Sequence, residues 1–208
     1  MTQDVRNENE LIRPGEGPKW VGSLYEMAEV LSSAVLCIAV LFTFVLRFAG
    51  VIGSSMTPTL KNGEWLAVTA ILPRPAQGDI VIISPRTNDV HEPLVKREPL
   101  VKRVIAVAGD EIDFADGRVL INGAPIEEPY LPDGLKTYPA SQAQSDLVYP
   151  ARVPPGCVYV MGDNRGGSAD SRVSDVGFIR VDDILGRVSF RVKPFFKTQP
   201  FHFTYKVQ

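Results

Sequence analysis

The chain has 208 residues, 45% of them hydrophobic and 22% charged, enough for one well-cored domain and a smaller appendage. With a formal net charge of −2, nothing in the composition points to a nucleic-acid partner. With 17 Gly and 17 Pro, the body reads as strand-rich and turn-rich, not as a helical bundle.

The first predicted element is apolar. From Val30 to Leu46, "VLSSAVLCIAVLFTFVL", no charge interrupts the run, which as a helix would be roughly 26 Å long. Arg47 can snorkel, "FAGVIG" adds apolar length, and Trp20 and Tyr25 stand where an interfacial belt is useful. The expectation is a polar N-terminal segment over 1–26, a transmembrane helix over 27–49 and a β-rich domain over 50–208. A removable signal peptide fits poorly, because the leader is long and acidic and no small-x-small site follows the run. Arg6, Arg13 and Lys19 before the span and Arg47 and Lys61 after it leave orientation open.

Beyond Gly50, short apolar strands alternate with turns. Strands are predicted over 64–71, 79–84, 101–108, 157–163 (entering a turn) and 184–192. Within 111–126, Asp116-Gly117 and Asn122-Gly123 are hairpin signals. Residues 127–150 read as a long excursion. No second amphipathic helix appears, so the fold class is mainly β after one N-terminal helix. Cys37 and Cys157 lie far apart in different surroundings, so a disulfide is not expected, and no ligand cluster suggests a metal.

Candidate chemistry follows by elimination. His91 and His202 lack the serine context of a Ser-His-Asp triad. A serine with a lysine base remains. "GSSMTPTL" (53–60) is a turn that can expose Ser55, with Met56 packed beneath it and Pro58 fixing the exit. A lysine base must be neutral, and burial among apolar groups is what lowers its pKa. The doubled hexapeptide "EPLVKREPLVKR" (92–103) offers two lysines. Lys102 continues into Val104–Ala108, an apolar strand. Lys96 is followed by Arg97, Glu98 and Pro99, a solvated setting. The third element, "GDNRGGSADSR" (162–172), is a polar turn whose Asp163, Arg165, Asp170 and Arg172 can pair internally, and whose Ser168 and Ser171 can donate to a neighbour. By composition it serves equally as a satisfied structural loop, a cation site or part of a catalytic centre.

In order, "GSSMTPTL", "GDIVII", "KRVIAVAGD" and "GDNRGGSADSR" after a membrane span resemble the bacterial type I signal peptidases, Ser-Lys proteases that remove signal peptides from exported proteins. The resemblance implies antiparallel sheets forming a partly barrel-like catalytic domain. It also implies Ser55 as nucleophile, Lys102 as general base and Ser168 as the serine that orients the lysine. Asp170 and Arg172 would form a supporting salt bridge, with Asp163 and Asn164 in the same turn. The Ser55 backbone N–H would serve the oxyanion hole. Gly53 occupies the position where some members add a serine hydroxyl, as in many Gram-positive-type members, which leaves the second oxyanion donor open. No cofactor is implied. The implied partners are the lipid bilayer and signal peptides with small residues at the first and third positions before the cut. The N-terminus would be cytosolic and the catalytic domain extracytoplasmic. Two rivals stand beside this: a repressor-type Ser-Lys autoprotease, which the span argues against, and a membrane-anchored binding domain, which leaves a buried lysine unexplained.

Overall fold

The computed structural model describes residues 19–40, 42, 46–69, 74–84, 99–192 and 198–200. The chain divides into two units, Met1–Thr43 and Phe44–Gln208. The described part of the first is essentially one helix, α1 (Lys19–Val40), in which Gly22–Val40 is long and apolar enough to cross a membrane. Apolar side chains are exposed along it, among them Leu24, Leu31, Val35 and Ile38, a distribution that suits lipid better than a one-sided core contact.

The helix occupies an earlier stretch than the expected 27–49. Leu46–Gly50 instead forms strand β1, paired residue for residue with β2 (Trp65–Thr69), from Leu46 against Thr69 to Gly50 against Trp65. The apolar length of this stretch therefore belongs to a sheet. Its strand partners lie 15 to 23 residues downstream, beyond the reach of a local hydropathy reading.

The remaining strands are β3 (Ile80–Ile83), β4 (Leu100–Val107), β5 (Glu111–Ala115), β6 (Arg118–Ile121), β7 (Ala124–Pro125), β8 (Ala151–Arg152), β9 (Cys157–Met161), β10 (Ile179–Arg180), β11 (Ile184–Val192) and β12 (Thr198–Pro200). All pairings are antiparallel. The larger sheet runs β1-β2-β11-β3-β4-β9-β10, with β12 on β11, and the smaller runs β7-β6-β5-β8. This is the mainly β architecture expected. Asp116 and Gly117 have φ of 54° and 77°, and Asn122 and Gly123 have 53° and 80°. Each pair thus has the positive φ values that a two-residue type I′ hairpin turn demands.

β3 reads as an uninterrupted apolar run because both of its faces are covered. Ile80 and Ile82 pack with Met56, Leu60, Leu66 and Val188, while Val81 and Ile83 pack with Val104, Val158, Val160 and Ile184. A third cluster, with Ile105, Ile112, Ile121, Tyr159 and Met161, joins the two sheets. In the β4–β9 ladder the register shifts between Val104 and Ala106, and Ile105 and Ala106 join this third cluster. β4 therefore passes through the centre of the domain, which is what buries its lysine.

Candidate active site

Ser55 stands on a turn anchored from below. Met56 and Leu60 are buried in the cluster under β3, and the Leu60 N–H donates to the Met56 carbonyl at 2.9 Å. Gly53 has φ +93°, a backbone that side chains resist. Two asparagines hold this turn. Asn62 Oδ1 accepts the Gly53 N–H at 2.9 Å. The Asn164 N–H donates to the Ser55 carbonyl at 2.9 Å, and its Nδ2 donates to the Ser54 carbonyl at 3.2 Å. Among the described residues the Ser55 N–H has no acceptor.

Lys102 lies on β4 opposite Val81 and is 2% exposed. Desolvation by burial is the largest influence on it and pushes its pKa below the usual lysine value; Asp170 pulls it back up, Arg172 lowers it and Asp163 raises it. The two carboxylates are otherwise engaged. Arg103 donates from Nε to Asp163 Oδ1 at 2.8 Å and from Nη2 to Oδ2 at 2.6 Å. Arg172 does the same to Asp170, at 2.8 Å and 2.9 Å. Each carboxylate near the lysine thus has a guanidinium of its own, and among the described residues none lies within ion-pair distance of Lys102. Burial then outweighs the pull of the two carboxylates on the lysine.

Gly162 is where these parts meet. In the β4–β9 register Arg103 faces Met161, so the next position sets Lys102 beside Gly162. A Cβ on Gly162 would stand 2.3 Å from Ser168 Oγ and 2.4 Å from the Ser55 carbonyl oxygen. Only glycine lets the Ser55 turn and Ser168 approach this closely. Ser168 Oγ is buried and has no hydrogen-bond partner, so the bond to Lys102 implied by the resemblance is not formed in this structure. Gly53 carries no hydroxyl, and its N–H is donated to Asn62 Oδ1.

Among the described residues the 162–172 turn has one internal ion pair, Asp170 with Arg172. Asp163 reaches across to Arg103, and Arg165 reaches Glu128, Thr137 and Tyr130 in the excursion, while its Nε donates to the Gly162 carbonyl at 3.0 Å. The ring of Tyr130 lies 3.8 Å beneath the Arg103 guanidinium. Asn62, Arg103, Glu128, Tyr130 and Gly162 are site-forming residues that the sequence reading missed. For Arg103 a signal existed, because a second charge inside an apolar strand needs a buried partner. Lys96, His91 and His202 lie outside the described residues.

A cleft of about 360 Å³ opens beside Ser55, lined among others by Phe48, Ile52, Met56, Ile82 and Val101. It is large and apolar enough to hold an extended peptide segment beside Ser55.

A family model described as "Signal peptidase, peptidase S26" matches residues 24–193. The chain belongs to this family. It is 36% identical over 172 residues to signal peptidase I of Bacillus caldolyticus, covering 78% of this chain and 87% of that one. It is 33% identical over 185 residues to signal peptidase IB of Staphylococcus aureus, covering 82% and 91%. A signal peptidase I crystal structure from Enterococcus faecalis V583 aligns with TM-score 0.43 and 25% identity, over 57% of this chain and 99% of that one. As a signal peptidase, the protein is a membrane serine endopeptidase that removes signal peptides from preproteins. A Ser-Lys dyad is a feature of its family, and its N-terminal apolar helix is consistent with membrane anchoring.

Proposed function

We propose that Ser55 is the nucleophile of this signal peptidase and Lys102 its general base. The observation that supports this is a buried lysine on β4 whose neighbouring carboxylates are both held by arginines, set beside Gly162, against which the Ser55 carbonyl packs. Neutral Lys102 takes the proton of Ser55 Oγ, which attacks the scissile carbonyl. The resulting oxyanion faces the Ser55 N–H. Lys102 then gives its proton to the amine of the departing mature chain. A water deprotonated by Lys102 next attacks the ester, Ser55 recovers a proton, and the signal peptide leaves as a carboxylate.

Ser168, whose Oγ is buried and unpartnered beside Gly162, has the capacity to orient Lys102. Asp170 and Arg172 brace the turn below, and Asp163 and Asn164 tie it to β4 and to Ser55. Gly53 has no hydroxyl and Asn62 holds its N–H, which leaves the second oxyanion donor open; losing one such donor costs roughly 2.7–4 kcal/mol in acyl transfer. The apolar cleft accepts the end of the signal peptide, with small residues at the first and third positions before the cut. The N-terminal segment is cytosolic, the span crosses the bilayer, and the domain from about residue 50 onward is extracytoplasmic. A site close to the membrane surface raises the local concentration of substrates still held in the bilayer.

Incubation of the full chain in detergent with a preprotein tests this. Cleavage after a small-x-small sequence is expected with the wild type and none with Ser55→Ala. An intact preprotein with wild type, or a cut elsewhere that survives Ser55→Ala, would sink it.

A further inference from the structure

A second cleft, of about 350 Å³, lies between the 136–144 part of the excursion and the 165–173 part of the polar turn. Its walls are fastened together. Arg165 binds Glu128 and Thr137 of the excursion, Arg172 Nη1 donates to the Tyr138 carbonyl at 3.4 Å, and the Ser174 N–H donates to the Gln144 carbonyl at 2.9 Å. The excursion is thus a strap pinned along the turn, and the cleft is the gap left between them.

Two features give that gap a meaning. Ser168 lines it, and Ser168 Oγ is separated from the Ser55 carbonyl only by Gly162, whose missing Cβ would lie 2.3 Å and 2.4 Å from the two oxygens. The apolar cleft therefore ends at Ser55 close to where the second cleft begins. A peptide cut at Ser55 has two halves, and the half beyond the cut must run away from the apolar cleft. The second feature is charge. Lys136, Arg165 and Arg172 line the second cleft, and no carboxylate does. Glu128 and Asp170 balance the two arginines from behind. Lys136 is exposed, its aliphatic stem lies against Gly117, and among the described residues it has no ion-pair partner. The gap is left with one uncompensated positive charge.

We propose that this strap-walled cleft receives the first residues of the mature chain beyond the cut, and that Lys136 favours an acidic side chain there over a basic one. The proposal rests on Ser55 as the nucleophile. Preproteins carrying Glu or Lys in turn at each of the first four positions after the cut would be compared in wild type, Lys136→Ala and Lys136→Glu. The readout is the ratio of kcat/KM for the Glu and Lys substrates, which cancels any general change in activity. At one or two of the four positions, wild type is expected to prefer Glu about five-fold, a size suited to an exposed charge pair. That preference falls towards one in Lys136→Ala, inverts in Lys136→Glu and shrinks as salt is raised. The same ratio in all three enzymes at every position overturns the proposal while leaving Ser55 untouched. Cleavage that survives Ser55→Ala would instead overturn the reading beneath it.

Discussion

Arg103 and Asp163 meet through two hydrogen bonds of 2.8 Å and 2.6 Å, with both side chains wholly buried. They join β4, which carries Lys102, to the turn after β9, which carries Asn164 and Ser168. Arg103→Met leaves Asp163 buried without its counter-charge, and Asp163→Asn does the same to Arg103. Each is expected to destabilise the domain by about 3–5 kcal/mol in thermal or urea unfolding, with the double variant costing less than the two singles together. Additive losses would mean that the two do not act as a pair.

Freed from Arg103, Asp163 would also act on Lys102, and Arg172 bears on it more directly. As the proposed base, Lys102 must be neutral for cleavage, so kcat/KM should rise with pH through the lowered lysine pKa. Arg172→Met removes a cation that disfavours the charged lysine and releases Asp170, which favours it. Both changes raise the lysine pKa, so the acidic limb of the pH–rate profile should move to higher pH. An unmoved limb would separate Lys102 from this electrostatic setting.

Burying Lys102 also has a cost in stability, and its sign is fixed. The folded-state pKa lies below the unfolded value, so between the two the unfolded chain binds the extra proton and stability rises with pH. Lys102→Met, similar in size and without charge, should therefore raise Tm at neutral pH. The gain should be largest at and below the lowered pKa and fade as pH climbs through the ordinary lysine value. A lower Tm at neutral pH would show that the ammonium is stabilised where it lies.

Gly162→Ala tests the close approach at the centre of the site. The new methyl would meet Ser168 and the Ser55 carbonyl at under 2.7 Å, so one of them must move. Because displacement of a catalytic group by about an ångström can cost a hundred-fold, cleavage should fall by about that much while binding of preprotein changes little. Full activity would show that the turn yields without disturbing Ser55.

Much of this was legible in the chain itself. "GSSM" marked Ser55 as a presented hydroxyl, and the apolar stretch after Lys102 marked that lysine as buried. Asp116-Gly117 and Asn122-Gly123 placed the hairpin turns, because few residues tolerate the backbone they need. What escaped depends on partners distant in sequence. Residues 46–49 read as helix because hydropathy does not register the pairing with β2. Asp163 and Arg165 had plausible partners within their own turn, yet bind Arg103 and Glu128, 60 and 37 residues away. Gly162 had no marking beyond a glycine after a strand, because its importance lies in a side chain it lacks.

The central claim is that Lys102, and not its counterpart in the first copy of the hexapeptide, is the base for Ser55. The measurement is the preprotein cleavage rate across pH for wild type, Lys102→Ala and Lys96→Ala. Lys102→Ala is expected to abolish cleavage at every pH, whereas Lys96→Ala keeps nearly the wild-type rate and the same acidic limb. A loss in Lys96→Ala equal to that in Lys102→Ala, or cleavage that persists without Lys102, would contradict the account.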